Sequence, residues 1–186
     1  MNEVIKAMED RRSIRKFKPD MPSKDDLNQI IEAGLYAANG MGKQATITIA
    51  VTNKELRDRL AKINTQIGGW EESFDPFYGA SVILIVLADK TWANRVYDGS
   101  LVMGNMMLAA HSLNLGSIWI HRAKEEFESD FGKKILADLG IEGIEIEDNV
   151  PLSESDTSKM FIDILPELPP DQGIGYVSFY LEAGED

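Results

Sequence analysis

Eight consecutive residues, Arg11-Arg12-Ser13-Ile14-Arg15-Lys16-Phe17-Lys18, carry five basic side chains and no acid. Such a cluster repels itself unless something negative neutralises it. Guanidinium forks match phosphate oxygens bidentately, and the Ser13 hydroxyl adds another donor. The chemistry this pattern can perform is anion binding, with phosphate the natural guest. The plain alternative is a solvated basic face, helped by the favourable placement of cations after a helix C-terminus.

A second group lies at Ala38-Asn39-Gly40-Met41-Gly42-Lys43-Gln44. Gly40 and Gly42 permit backbone geometry that other residues resist and let a flat ligand approach the chain. Asn39 and Gln44 supply amide donors and acceptors. An ordinary helix-to-strand connection has the same look. The chain has two histidines, too few for a His-based metal site. His111 falls inside a hydrophobic helix and reads as a packed residue. His121, followed by Arg122, ends a short strand, where ligand contacts are common.

Other chemistries are excluded by type. There is no cysteine, so disulfides, thiolate catalysis and Cys-ligated metal sites are ruled out. No Gly-x-Ser-x-Gly elbow supports a hydrolytic triad. Gly173-Ile174-Gly175 supplies two glycines of a dinucleotide fingerprint, but Ser178 replaces the third and the segment enters a strand instead of leaving one. No phosphate-binding P-loop is present.

The elements that must position these groups follow from periodicity. Val4, Ile5 and Met8 predict a short amphipathic helix that stops at the basic run. Ser23 caps a helix bearing Leu27, Ile30, Ile31 and Leu35. Residues 46–52 read as a strand, Asn53 caps a helix with Leu56, Leu60 and Ile63, and 82–87 is a continuous apolar run typical of a buried strand. Asp98 is placed as the N-cap of a helix over 98–113 that is apolar most of the way round, which requires a large core or a partner. Residues 117–120 form a short strand, and 125–139 one amphipathic helix stopped by Gly140. Ile144 and Ile146 suggest an edge strand, 155–165 a helix, and 176–181 a final strand. With no repeats and no clean linker, the whole chain, 1–186, reads as one α+β domain.

Charge divides that chain unevenly. Of 186 residues, 31 are Asp or Glu and 19 are Lys or Arg, a net of -12. Residues 1–140 account for -1 of this and residues 141–186 for -11. The overall field disfavours nucleic acid and anionic membrane surfaces. A hydrophobic share of 44% with 27% charged residues is the balance of a folded domain. No apolar run reaches the ~20 residues that span a bilayer, and the first residues lack the apolar core of a signal peptide. A cytoplasmic location is the expectation.

Taken in order, Arg-Arg-Ser-Ile-Arg-Lys-Phe at 11–17, Ala-Asn-Gly-Met-Gly-Lys-Gln at 38–44, Asp-Pro-Phe-Tyr-Gly-Ala at 75–80, Tyr-Asp-Gly-Ser-Leu-Val-Met-Gly-Asn at 97–105 and Gly-Ser-Ile-Trp-Ile-His-Arg-Ala at 116–123 resemble the nitroreductase family of FMN-dependent oxidoreductases, especially its short clostridial-type members. The resemblance covers about residues 1–140. It implies a mixed, mainly antiparallel sheet flanked by helices, in an intertwined homodimer. It also implies that Arg11, Arg12, Ser13 and Arg15 hold the FMN phosphate and ribityl end. Ala38, Asn39, Gly40 and Gln44 match a loop that reaches the flavin bound mainly by the other subunit. His121 and Arg122 match the segment lining the isoalloxazine ring, and the helix over 98–113 matches the dimer interface. The implied activity is ping-pong: NAD(P)H reduces FMN, leaves, and a small flat acceptor such as a nitroaromatic or quinone replaces it. No side chain need be catalytic, because the cofactor carries the hydride chemistry, and no metal is implied.

The chain also departs from the family's pattern. Ala38-Asn39 and Gly42 stand where relatives commonly carry Pro-Ser and Asn. An acidic, Pro-containing stretch, 144–172, intervenes before the terminal strand segment 173–186, as an insertion or a lid. Relatives continue beyond that strand into an arm with a basic residue, for which residues 182–186 hold no counterpart. Two other readings remain open: a specialised flavoenzyme of the same fold, of dehalogenase or flavin-cleaving type, and a flavin-binding regulatory protein without turnover.

Overall fold

The computed structural model describes residues 2–89 and 91–141, together with the backbone of 176–180. The first helix, α1 (Glu3–Asp10), is capped by Asn2, whose side-chain oxygen accepts from the Val4 N–H, and it buries none of its residues. Ser23 caps α2 (Lys24–Leu35) through the Asp26 N–H, as its spacing predicts. Strand β1 (Thr46–Val51) leads to α3 (Lys54–Ile67), capped by Asn53, and then to β2 (Val82–Ala88).

Helix α4 (Arg95–Ser112) begins three residues before the expected N-cap. Asp98 lies in its first turn and accepts from groups outside the helix, so the carboxylate fastens a neighbouring loop instead of capping its own helix. Strand β3 (Ser117–Ile120) follows. The single helix expected over 125–139 is two, α5 (Ala123–Glu128) and α6 (Asp130–Asp138). Ser129 causes the break. It takes an extended backbone, ψ 158°, and its hydroxyl oxygen caps α6 by accepting from the Gly132 N–H. Gly140, at φ +70°, ends α6 as predicted. The expected edge strand at 144–146 and the helix over 155–165 lie outside the described residues. Strand β4 (Tyr176–Tyr180) completes the sheet.

The sheet order is β1-β2-β4-β3. Strand β1 pairs antiparallel with β2, in a register that places Ile49 opposite Ile85, while β4 runs parallel to both its neighbours. The α+β class and the mixed sheet are as expected, and the antiparallel share is confined to β1–β2 among the described strands. Strands β2 and β3 flank β4 and run parallel to it, and α4 supplies the crossover that carries the chain from β2 to β3.

The two faces of the sheet make two cores. Ile83, Ile85, Leu87, Ile118 and Ile120 pack with α3, α5 and α6, whereas Val82, Leu84 and Val86 pack with α2 and α4. Because both faces of β2 are covered, its sequence has no polar alternation. Buried Arg57 on α3 anchors the loop before β2. Its Nε donates to the Ala80 carbonyl, and its Nη2 lies 2.5 Å from Asp75 Oδ2. Asp75 also accepts from the Phe77 and Gly79 N–H groups. Residues 75–80 are thereby held as a rigid turn, with Tyr78 at φ +53°.

Candidate functional site

The basic segment leaves α1 and runs beside the start of β3. Ser13 forms an isolated parallel bridge with Ser117, and the Ile14 N–H donates to the Ser117 carbonyl at 3.1 Å. Further on, the Phe17 N–H donates to the carbonyl of Tyr78, on the turn that Arg57 anchors. Gly116 makes this close approach possible, since a Cβ there would fall 2.9 Å from Ile14 Cγ1. Arg12 turns back to bond the carbonyls of Glu9 and Arg11. The Nη1 of Arg11 is buried and has no acceptor among the described residues. The Ser117 Oγ, at the bridge, is likewise buried and unpaired. A buried guanidinium N–H without an acceptor is costly, and a bound anion would relieve it. The residues present therefore fit a phosphate-bearing group.

His121 and Arg122 stand at the other end of β3, about 13 Å from Ser117 at the usual rise of a strand. Arg122 has φ +86°, a left-handed conformation uncommon for a long side chain. Its guanidinium lies 4.3 Å from the Trp70 ring centroid, at cation–π distance. From Trp70 an aromatic row continues, edge to face, to Phe74 at 4.9 Å and Tyr78 at 5.9 Å. The row thus links Arg122 to the turn that receives Phe17. Sequence reasoning missed these three aromatics as site residues. The available signal was their four-residue spacing, 70, 74 and 78, within a loop otherwise rich in glycine and acids.

Beneath this end the Asn64 Nδ2 donates to the His121 carbonyl at 3.0 Å. Asn64 is 0% exposed and Glu126, close by on α5, is 1% exposed. Burial pushes the Glu126 carboxyl up to about 8 and Glu125 adds to the rise, while Asn64 and Arg122 oppose it.

The loop at 38–44 is held elsewhere. The Gly40 N–H and the Trp92 indole N–H both donate to Asp98, at 2.9 and 2.7 Å. A Cβ on Gly40 would fall 2.4 Å from Asn94 Nδ2 and 3.0 Å from the Trp92 ring, so a larger residue here would displace the Asn94 side chain. Gly42 sits at φ +66°, and Asn39 accepts from the Gln44 N–H at 3.1 Å. Ala38 and Gln44 are exposed. The structure thus sets Ser13 against Ser117 at the start of β3, with Arg11, Arg12 and Arg15 beside it in the chain, and puts His121 and Arg122 at the far end of that strand. It sets Ala38, Asn39, Gly40 and Gln44 against the start of α4 instead.

A further surface accompanies that loop. On α4, Tyr97 is 70% and Leu101 47% exposed, and Gly104 has open space around it. With Leu108 these positions follow at intervals of four, three and four, the spacing of a helix-packing seam. Val4, Ile5 and Met8 on α1, and Tyr36 and Met41, are also exposed apolar side chains. Among the described residues no group of His, Cys, Asp and Glu could hold a metal, and no helix is long and apolar enough to cross a membrane.

The model of the Nitroreductase family matches residues 8–145. Among solved structures, a nitroreductase with bound FMN from Bacteroides fragilis is 30% identical with a TM-score of 0.67, over 75% of this chain and 81% of that one. The FMN reductase [NAD(P)H] of Bacillus subtilis is 28% identical over 140 residues, 63% of this chain and 53% of that protein. A separate likeness joins 53 residues, 28% of this chain, to the ribosomal protein L11 methyltransferase of Agathobacter rectalis at 66% identity. The chain spans only 16% of that methyltransferase.

Proposed function

The chain belongs to the nitroreductase family, and from that premise we propose that it is an FMN-dependent oxidoreductase that takes electrons from NAD(P)H and passes them to a small, flat, electron-poor acceptor. The observation that carries the reading is the buried Nη1 of Arg11, which has no acceptor among the described residues, in a basic segment bridged to the start of β3 at Ser117. In this reading Arg11, Arg12, Ser13 and Arg15 hold the phosphate and ribityl end, and His121 and Arg122 border the flat ring. Bound FMN supplies the hydride chemistry. The chain's own residues bind the anion, orient the ring and leave one face open for donor and acceptor in turn. The 38–44 loop and the exposed α4 seam are read as parts of a homodimer, in which that loop reaches the partner's site. The test is an absorbance spectrum of the purified protein. A yellow protein that bleaches with NAD(P)H in the absence of oxygen supports the proposal. A colourless protein that fails to take up added FMN overturns it.

The methyltransferase-like stretch also informs the domain reading. Only 7 residues precede the family match and 41 follow it, and the -11 charge belongs to residues 141–186. We therefore assign the 53-residue likeness to the C-terminal end and read 144–172 as part of a segment whose kinship differs from that of the body. The nitroreductase-like sheet then takes its fourth strand from that segment. Ser178 pairs with Leu84 on one side and Trp119 on the other. Ser178→Pro removes a donor from this doubly paired strand and should lower the melting temperature sharply. An unchanged melt would show that the sheet does not use residues 176–180.

A further inference from the structure

Two adjacent residues of α3 fix both halves of the contact between Arg122 and Trp70. The Asn64 Nδ2 donates to the His121 carbonyl at 3.0 Å, one residue before Arg122, and the Thr65 carbonyl accepts from the Trp70 N–H at 3.1 Å. The indole is seated as well. A Cβ on Gly68 would fall 2.8 Å from Cε3 of Trp70 and 3.0 Å from Cδ2 and Cζ3, so the ring lies directly over that glycine. Phe74 packs against the ring edge to face at 4.9 Å, and the Thr65 hydroxyl donates to the Phe74 carbonyl at 2.9 Å. Trp70 nevertheless stays 40% exposed. An indole held this firmly at the surface adds little to the core. What it does hold is the Arg122 guanidinium, 4.3 Å from its ring centroid.

A guanidinium laid on an aromatic face keeps its N–H donors, which point outward in its own plane and match a carboxylate bidentately. The charge of Arg122 is also unmatched. The ion pairs among the described residues join Lys54, Arg57 and Lys134 to Asp58, Asp75 and Asp138, and none of them includes Arg122. Glu126, which feels that charge, is buried and pushed up to about 8, so at neutral pH it holds its proton and leaves Arg122 cationic. In the flavin reading the basic segment at the start of β3 takes the phosphate. The charge at the far end of the strand is then left for the molecule that is reduced. We propose that Arg122 is a specificity-determining residue that takes the carboxylate of a small, flat, aromatic acceptor. Trp70 is the positioning residue that holds the guanidinium by its face and leaves its edge open for that bond. The substrate class is thus an electron-poor aromatic acid, preferred over its uncharged analogue. The inference rests on the flavin reading for the kind of molecule bound.

The test is equilibrium dialysis of the full-length oxidised protein at pH 7 against 4-nitrobenzoate and 4-nitrobenzamide, which are nearly the same shape and differ by one charge. The parent should bind the benzoate about tenfold to a hundredfold more tightly, the value of one charge-assisted contact. Arg122→Gln should bind the two alike, chiefly by losing affinity for the benzoate. Trp70→Leu should lose most of the preference although the charge remains, and Trp70→Phe, which restores an aromatic face, should recover it. A general loss of fold weakens both probes together and leaves their ratio unchanged. A parent that binds both alike, a preference that survives Arg122→Gln, or one that survives Trp70→Leu would each overturn the proposal. If Trp70→Leu does not fold, the parent and Arg122→Gln still decide it. A preference for NADP+ over NAD+ that Arg122→Gln removes, with the two nitro probes bound alike, would assign the charge to the donor's phosphate and overturn the proposal too. The flavin reading fails separately, because dialysis involves no turnover. A yellow protein that bleaches with NAD(P)H but binds both probes alike overturns this inference alone. A colourless protein that still prefers the benzoate through Arg122 supports the anion site and overturns the flavin reading.

Discussion

Replacing Asp98 by Asn tests the means by which the 38–44 loop is held. Asp98 is 3% exposed, and its two oxygens serve two donors, the Gly40 N–H and the Trp92 indole N–H. Asparagine keeps the shape but has one oxygen, so one donor then faces an NH2 group. The change removes a charge-assisted bond and leaves a buried N–H unpaired, a cost of about 2–4 kcal/mol. For a chain of this size each kcal/mol lowers the melting temperature by about 2–4 °C, so Asp98→Asn should lose roughly 4–16 °C. Removing the second donor completes the argument. In Asp98→Asn/Trp92→Phe the single remaining oxygen can serve Gly40 alone, so the two costs should fall short of additivity, with a coupling of about 0.5–3 kcal/mol. Chemical denaturation of the four proteins measures this directly. If Asp98→Asn melts with the parent, or if the two costs simply add, Asp98 does not hold the loop as described.

Other perturbations address the strip, the seam and the buried acid. Arg11→Ala should weaken FMN binding by about one to two decades, the value of one charge-assisted contact, and flavin fluorescence titration would read it. An unchanged affinity would remove Arg11 from the phosphate site. Leu101→Arg places a charge in the exposed α4 seam and should yield monomers by light scattering; a dimer that survives it must use another face. Glu126→Gln should also flatten the dependence of stability on pH. The folded-state value is raised from 4.5 to about 8, so the native state binds the extra proton in that window. The parent's stability is then fully present below about pH 4.5 and falls as pH rises to about 8, by on the order of 4–5 kcal/mol. Parallel slopes in parent and variant, measured by urea unfolding at pH 5, 6.5 and 8, would refute this.

Much of the fold was legible because its signals are local. Ser23, Asn53 and Gly140 mark helix ends by short-range hydrogen bonding and backbone geometry, and the run at 82–87 announces a strand covered on both faces. The basic run at 11–18 stood out from charge alone as a segment of unusual composition. Where sequence reasoning fell short, a longer-range contact decided. Asp98 looked like a helix cap because the sequence does not show that Gly40 and Trp92 converge on it. The helix expected over 125–139 breaks at Ser129, whose capping hydroxyl outweighs an apolar periodicity that continues across it.

The sequence by itself determined the chemical character of this protein: a cysteine-free α+β body with basic residues fit for phosphate, and an acidic C-terminal segment of different composition. These are properties of residue type and spacing, which survive any arrangement of the chain. Tertiary structure decided which groups meet. It bridged the basic segment to the start of β3 at Ser117, brought Trp70 to Arg122 across some fifty residues, fastened the 38–44 loop to α4 and buried Glu126 and Asn64. Those contacts arise from strand pairing and from packing two cores against one sheet. Both join residues far apart in the chain, and no local pattern encodes them.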